Sequence, residues 1–172
     1  SALIGAGIFV ALALGEMGLR VLSCSSRDYY VWPPHFRAVF YPLSSITPGI
    51  EGRSRFIVNS KGMRGGEIPA DCAYRILAMG GSVTECTLLD QAESWPYLLQ
   101  EKLTRSINPK TAWVGNLGKS GLRSFHNMLQ LKYLLPKYKS IRIDAVIMIV
   151  GINDLTASLA NDGLRRAYTE EK

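Results

Sequence analysis

Three apolar runs of strand length, residues 74–79, 111–116 and 144–150, alternate with two helix-length segments, and each breaks off into a glycine-bearing loop. The first helical segment opens on Ser94-Trp95-Pro96, where Ser94 suits an N-cap and Pro96 costs nothing in the first turn. It continues as YLLQEKLTR and ends near Asn108-Pro109. The second starts at about Arg123, with Phe125, Met128, Leu129, Leu131, Leu134 and Leu135 as a broad apolar face, and Pro136 ends or bends it. The last run, DAVIMIV, has no polar interruption after Asp144 and is expected to be buried on both faces. Strand, helix, strand, helix, strand with crossovers of this length predicts an α/β three-layer domain around a parallel sheet.

Such sheets gather their chemistry at the carboxyl ends of the strands. Here those ends read GGS, NLGKSG and GIND. Together they offer the parts of acyl transfer by a serine: a nucleophile held clear of the sheet, donors for the oxyanion, and a base. Ser82 follows a tight glycine turn that lets its hydroxyl and its own N–H face one space. Gly121 has no side chain, so its N–H can come close to a substrate oxygen. Asn153 supplies a carboxamide N–H. Asp154 is expected to support the third loop. The alternative for each is structural, a β-turn serine or a loop glycine. A phosphate-cradling loop is another option for MGGSVT, and the absence of the spaced glycine and lysine of such loops argues against it.

The chain opens SALIGAGIFVALALGEMGLRVL, uncharged from residue 2 to residue 14. A membrane anchor, a secretory signal core and a buried core helix compete for this stretch. An apolar character on every side favours the anchor over residues 1–22, with Glu16 and Arg20 as an i, i+4 pair near the interface. Residues 23–55 form a connector rich in Ser, Pro, Tyr and Arg, with one or two short edge strands expected. Its aromatics, Tyr29, Tyr30, Trp32, Phe36, Phe40 and Tyr41, are too many for a free linker and are expected to pack against the domain, lipid or a partner protein. The α/β domain then occupies residues 56–172.

The net charge of +6 is spread thinly, with no basic stripe interleaved with aromatics, which argues against a nucleic-acid partner. Cys24, Cys72 and Cys86 lack metal-ligand spacing, so no metal or cofactor is expected. Buried or idle thiols are the expectation for all three. Cys24 faintly suits a lipid-attachment site, with Arg20 close before it arguing otherwise.

AMGGSVTE, NLGKSG and VGIND, in this order, resemble the first three sequence blocks of the SGNH (GDSL-type) hydrolases, over roughly residues 56–160. The segment VNSKGMRG, residues 58–65, also resembles one that precedes the nucleophile strand in membrane-anchored relatives. The resemblance implies a flavodoxin-like α/β domain with Ser82 as nucleophile and Gly121 and Asn153 as oxyanion donors. Gly81 stands where the family usually has an acidic residue before the serine.

The family's general base is a histidine in a downstream Asp-x-x-His block. This sequence has only His35 and His126, and neither stands in that pattern. His126 is expected on the surface, or half-buried, in the helix after the second loop. Two readings follow. In one, these residues are the N-terminal part of a membrane-anchored, extracytoplasmic (periplasmic) esterase or O-acyl deacylase. The Asp and His then lie beyond Lys172, the sheet is incomplete here, and the substrate is an ester of a carbohydrate or lipid. In the other, the chain is a non-catalytic accessory or scaffolding subunit of a membrane complex. Its helix docks among other membrane-protein subunits through Gly5, Ala6 and Gly7.

Overall fold

A computed structural model describes residues 2–23, 31–108 and 110–170. Cys24, Tyr29, Tyr30 and Pro109, and the side chain of Arg20, lie outside the described residues. Helix α1 (Ala2–Ser23) comes first, followed by an antiparallel pair, β1 (Arg37–Phe40) and β2 (Ser54–Ile57). The main sheet has three parallel strands, β3 (Cys72–Gly80), β4 (Thr111–Asn116) and β5 (Ala145–Ile149), in the spatial order β4-β3-β5. A single helical turn, α2 (Ser82–Glu85), and helix α3 (Trp95–Ser106) join β3 to β4. Helix α4 (Ser124–Leu129) begins the return to β5, and α5 (Ile152–Glu170) leaves it.

The alternation of side chains along β3 separates the core into two halves. Ile76 and Ala78 pack with Val114 under Trp95, Leu99 and Leu103 of α3. Leu77 and Met79 pack on the other face with Met63, Trp113, Leu134 and Tyr138. Helices therefore cover β3 on both sides, as the expected three layers require.

Strand β5 departs from expectation. Val146 pairs with Leu77 and Met148 with Met79, so they lie on the face that Leu134 and Tyr138 close over β3. Over β5 that cover stops, and Val146 and Met148 remain 37% and 39% exposed. Among the described residues β4 is an edge strand too and is nonetheless buried, so what β5 lacks is helical cover, which a run without polar interruption does not reveal.

The segment after the second loop also differs from the single long helix expected. It is α4, then a π-helical turn (Gln130–Leu134) and a 3-10 turn (Leu135–Tyr138). Pro136 has no N–H to give to the turn before it, and the ladder widens ahead of it, with the Leu135 N–H bonded to the Gln130 carbonyl. Leu134 is buried, while Phe125 and Met128 face solvent. At α3, Ser94 occupies the N-cap position, but its hydroxyl donates to the Gln91 carbonyl (3.0 Å) instead of accepting from the first turn.

The aromatic segment before the sheet is tied to it. Phe56 of β2 is fully buried, with the rings of Trp32, Phe36 and Phe40 centred 5.0, 6.2 and 6.3 Å away. Tyr41 is exposed. Arg64 pairs with Val58 and, across the sheet's margin, with Asn116, its N–H reaching the Asn116 carbonyl at 2.9 Å. Along α1 the side chains of Ile4, Ile8, Phe9, Leu12, Leu14 and Leu19 are exposed. Among the described residues no helix is long and apolar enough to cross a membrane.

Candidate active site

Sheet order decides where a ligand can enter. The chain moves from β3 outward to β4, then crosses back over β3 to β5, so the direction of winding reverses between β3 and β5. The crevice beyond the carboxyl ends of strands at such a reversal is the usual binding place in open α/β sheets. Ser82 follows β3 there, and Asn153 follows β5.

The turn at Ser82 is compact. Gly81 leaves β3, and its carbonyl accepts the N–H groups of Thr84 (3.1 Å) and Glu85 (3.0 Å). Cys86 closes the turn in the left-handed region at φ 54°, bonding back to the Ser82 carbonyl at 2.9 Å. Burial pushes the Cys86 thiol pKa up, and the thiol donates to the Val83 carbonyl. Ser82 is exposed at the start of the turn. The first N–H groups of a helical turn have no acceptor within it, and that of Ser82 is one of these.

The second loop is pinned beside that turn. Leu117 and Lys119 donate to the carbonyls of Ala78 (2.8 Å) and Gly80 (3.2 Å) at the end of β3. Asn116 bridges the two loops, giving its amide to the Thr84 carbonyl (2.7 Å) and accepting the Gly118 N–H (2.8 Å). A Cβ on Gly118 would stand 2.4 Å from the Glu85 nitrogen, so the contact requires glycine. Gly121 is exposed at φ +80°, with open space where a side chain would be. Beneath this loop, buried Asn127 donates to Gln130 (2.9 Å), which donates in turn to the Leu117 carbonyl (3.3 Å).

Asn153 joins all three loops. It lies in the first turn of α5, and its Nδ2 donates to the carbonyl of Leu122 at 2.7 Å, next to Gly121. The same Nδ2 is 2.6 Å from where a Cβ on Gly81 would be, next to Ser82. Glycine at 81 is thus what admits the carboxamide. Asp154 accepts the N–H (2.9 Å) and hydroxyl (2.8 Å) of Ser124, tying the third loop to the end of the second. The Ser124 N–H, and then its hydroxyl, hold the Asp154 pKa below the ordinary carboxylate value.

Two supporting residues escaped the sequence. Glu85 is buried; its carboxylate accepts Trp32 Nε1 (3.0 Å), the Ser120 N–H (2.9 Å) and the Ser120 hydroxyl. Arg64 is buried under the turn. Its guanidinium donates to the carbonyls of Glu85, Cys86 and Leu89 and to Gln91 Oε1, and lies 4.6 Å over the Phe56 ring. Burial lowers its pKa. Acceptors supplied by the backbone leave no mark in a sequence, so nothing there points to Arg64. Glu85, in SVTE, looks like an ordinary exposed helical residue.

Among the described residues no hydrogen bond joins Ser82 to either histidine. His126 is half-buried in α4, and its Nδ1 accepts the Arg123 N–H at 3.0 Å. The His35 N–H donates to the Asn59 carbonyl at 3.2 Å.

No protein-family model matches the chain, and no curated protein matches it. Among solved structures, the crystal structure of AlinE4, described as an SGNH-hydrolase family esterase, shares 28% identity at a TM-score of 0.44, over 54% of this chain and 46% of that one. The chain is similar to an SGNH-type esterase. Two variants of AlinE4 match at 28% and 27% identity, each at a TM-score of 0.44 over 53% of this chain and 46% of theirs. The match therefore spans less than half the length of these solved structures.

Proposed function

We propose that this chain carries the nucleophile and the oxyanion-binding groups of an SGNH-type serine ester hydrolase. The observation that supports it most is the Asn153 carboxamide, which touches Gly81 beside Ser82 and Leu122 beside Gly121. In this reading Ser82 Oγ attacks the ester carbonyl. The negative oxygen of the tetrahedral intermediate is held by the N–H groups of Ser82 and Gly121 and by Asn153 Nδ2. Such donors stabilise charge that develops only during reaction, and each is worth about 10²–10³ in rate.

The proton of Ser82 needs a base. In this reading the base is the histidine of the Asp-x-x-His block that the resemblance implies, and His126, whose Nδ1 accepts a backbone N–H, does not fill that role. The exposed apolar side chains of α1 support a role in holding the domain at a membrane surface, on the extracytoplasmic side that the family resemblance implies.

The test is hydrolysis of p-nitrophenyl acetate by the intact protein, with labelling of Ser82 by a fluorophosphonate. Ser82→Ala is expected to abolish labelling and to lower kcat by up to ~10⁶-fold. Turnover unchanged by that substitution would refute the assignment.

The exposed apolar side chains of α1 also fit a second reading, an accessory subunit of a membrane complex built on the same fold, its helix docked among others. Co-purification with a membrane assembly, unaffected by Ser82→Ala and without esterase turnover, would support it.

A further inference from the structure

The positive charge of the chain, thin overall, gathers in one place. Residues 124–143 contain no aspartate or glutamate, and Lys132, Lys137, Lys139 and Arg142 fall in the second half of that stretch. All four are exposed. Lys132 Nζ stands 5.1 Å from the centre of the Tyr133 ring, and Arg142 pairs with Asp144 at 2.8 Å. Among these charges opens a cavity of about 410 Å³, walled by Leu131, Leu135, Pro136, Ile141 and Ile143, with Lys139 and Arg142 in its lining. Its aliphatic walls continue the cluster that Leu134 and Tyr138 close over β3. Val31, the first described residue after α1, packs against that same cluster. It follows Ser23 by eight residues, so the end of α1 lies within ~29 Å of it.

We propose that this face is the one the domain turns to a membrane, and that it binds anionic phospholipid there. The inference rests on the reading of α1 as a helix that holds the domain at a membrane, and it does not require Ser82 to react. Two observations carry it. The first is charge. Lysines standing around an apolar recess match phosphate headgroups set above hydrocarbon, and each lysine near an anionic surface strengthens binding about fivefold. The second is the shape of what α1 must be covered by. Exposed Ile4, Phe9, Val10 and Leu12 are spread around that helix at 3.6 residues per turn, not gathered in one stripe. An acidic partner protein could supply the opposite charge, but its groove would cover one side of α1 and leave the others in water. A lipid layer meets both demands, and Val31 brings them to the same side of the domain.

The experiment floats the intact protein with vesicles of phosphatidylcholine alone and of an equal mixture of phosphatidylcholine and phosphatidylglycerol. Tighter binding to the anionic vesicles is expected. Lys132→Gln with Lys139→Gln is expected to weaken that binding about 25-fold and to leave binding to phosphatidylcholine alone unchanged. Lys102→Gln with Arg105→Gln removes the same charge from α3, which covers the opposite face of the sheet. That pair is expected to stay within about twofold of the parent, since charge beyond a Debye length of the surface is screened. Contact is read directly by fluorescence. Tyr133→Trp is expected to add emission that dibrominated phosphatidylglycerol quenches, and Leu98→Trp on α3 to add emission that it does not quench. Equal binding to the two kinds of vesicle overturns the anionic-lipid site and leaves the role of α1 standing. Equal losses in the two double variants, or quenching at position 98 and not at 133, overturn the assignment to this face. Binding to neither vesicle overturns the proposal and the membrane role of α1 together.

Discussion

Glu85 accepts both the backbone N–H and the hydroxyl of Ser120, and so ties the Ser82 turn to the loop that carries Gly121. Its other oxygen takes the indole N–H of Trp32 from the segment ahead of the sheet. One buried carboxylate therefore sets the spacing between two of the three loop tips. Low local polarity strengthens each of these bonds and raises the cost of leaving any of them unmade.

Glu85→Ala removes the acceptor and leaves the Ser120 and Trp32 donors without it. Ser120 is exposed and Trp32 only half-buried, so water can replace the lost acceptor in part, and the expected loss of stability is about 0.5–1.5 kcal/mol for each hydrogen bond removed. Denaturant unfolding at neutral pH measures it. If Glu85 positions the loop, Glu85→Gln, which keeps one acceptor oxygen, is expected to recover part of both stability and turnover.

If Asn153 is the oxyanion donor proposed above, Asn153→Ala is expected to lower kcat by about 10²–10³ while changing KM little, because such a donor acts on charge that appears only during reaction. Asn153→Asp is expected to be worse, since a carboxylate facing the oxyanion repels it. Steady-state kinetics on a p-nitrophenyl ester distinguish the two.

Gly118→Ala drives a methyl group into the backbone at Thr84 and Glu85, with 2.4 Å available to the Glu85 nitrogen. Backbone cannot rotate aside as a side chain can, so the loops must separate. The expected outcome is a destabilisation of about 1–3 kcal/mol, the usual cost of overpacking, together with loss of Ser82 labelling. Gly121→Ala, where a Cβ meets open space but φ is +80°, is expected to strain the backbone without a clash.

The Asp154 pKa is lower in the folded chain than in the unfolded one, because Ser124 donates to the carboxylate. Its contribution to stability is therefore fully present above the unfolded carboxylate value of about 3.9, and it is lost as pH falls through the folded value. Asp154→Asn is expected to narrow the stability difference between pH 7 and pH 3. Parallel urea titrations of the two proteins at both pH values check the sign.

Periodicity and punctuation carried much of the architecture. Strand β4 falls on residues 111–116 as its flanking turn residues predict, and the helix opening at Ser94 begins one residue later. What local pattern could not carry was which strands the helices cover. Leu77 and Val146 sit in equally apolar runs, yet only one of them has a helix above it. The three loop tips were legible because glycine, serine and asparagine stand where strands end. The groups that fix their spacing were not, since Glu85 and Arg64 act on backbone atoms of residues that are distant in sequence.

The Arg64 guanidinium, set on the Phe56 ring, has consequences for any attempt to transplant this constellation. The underside of the Ser82 turn is made of carbonyl oxygens, and those of Glu85, Cys86 and Leu89 are all claimed by a residue that precedes the first parallel strand. Grafting the GGS, NLGKSG and GIND tips onto a foreign sheet would move the visible chemistry and abandon its foundation. A working donor cassette would have to begin upstream, at the paired strands that carry Phe56 into place.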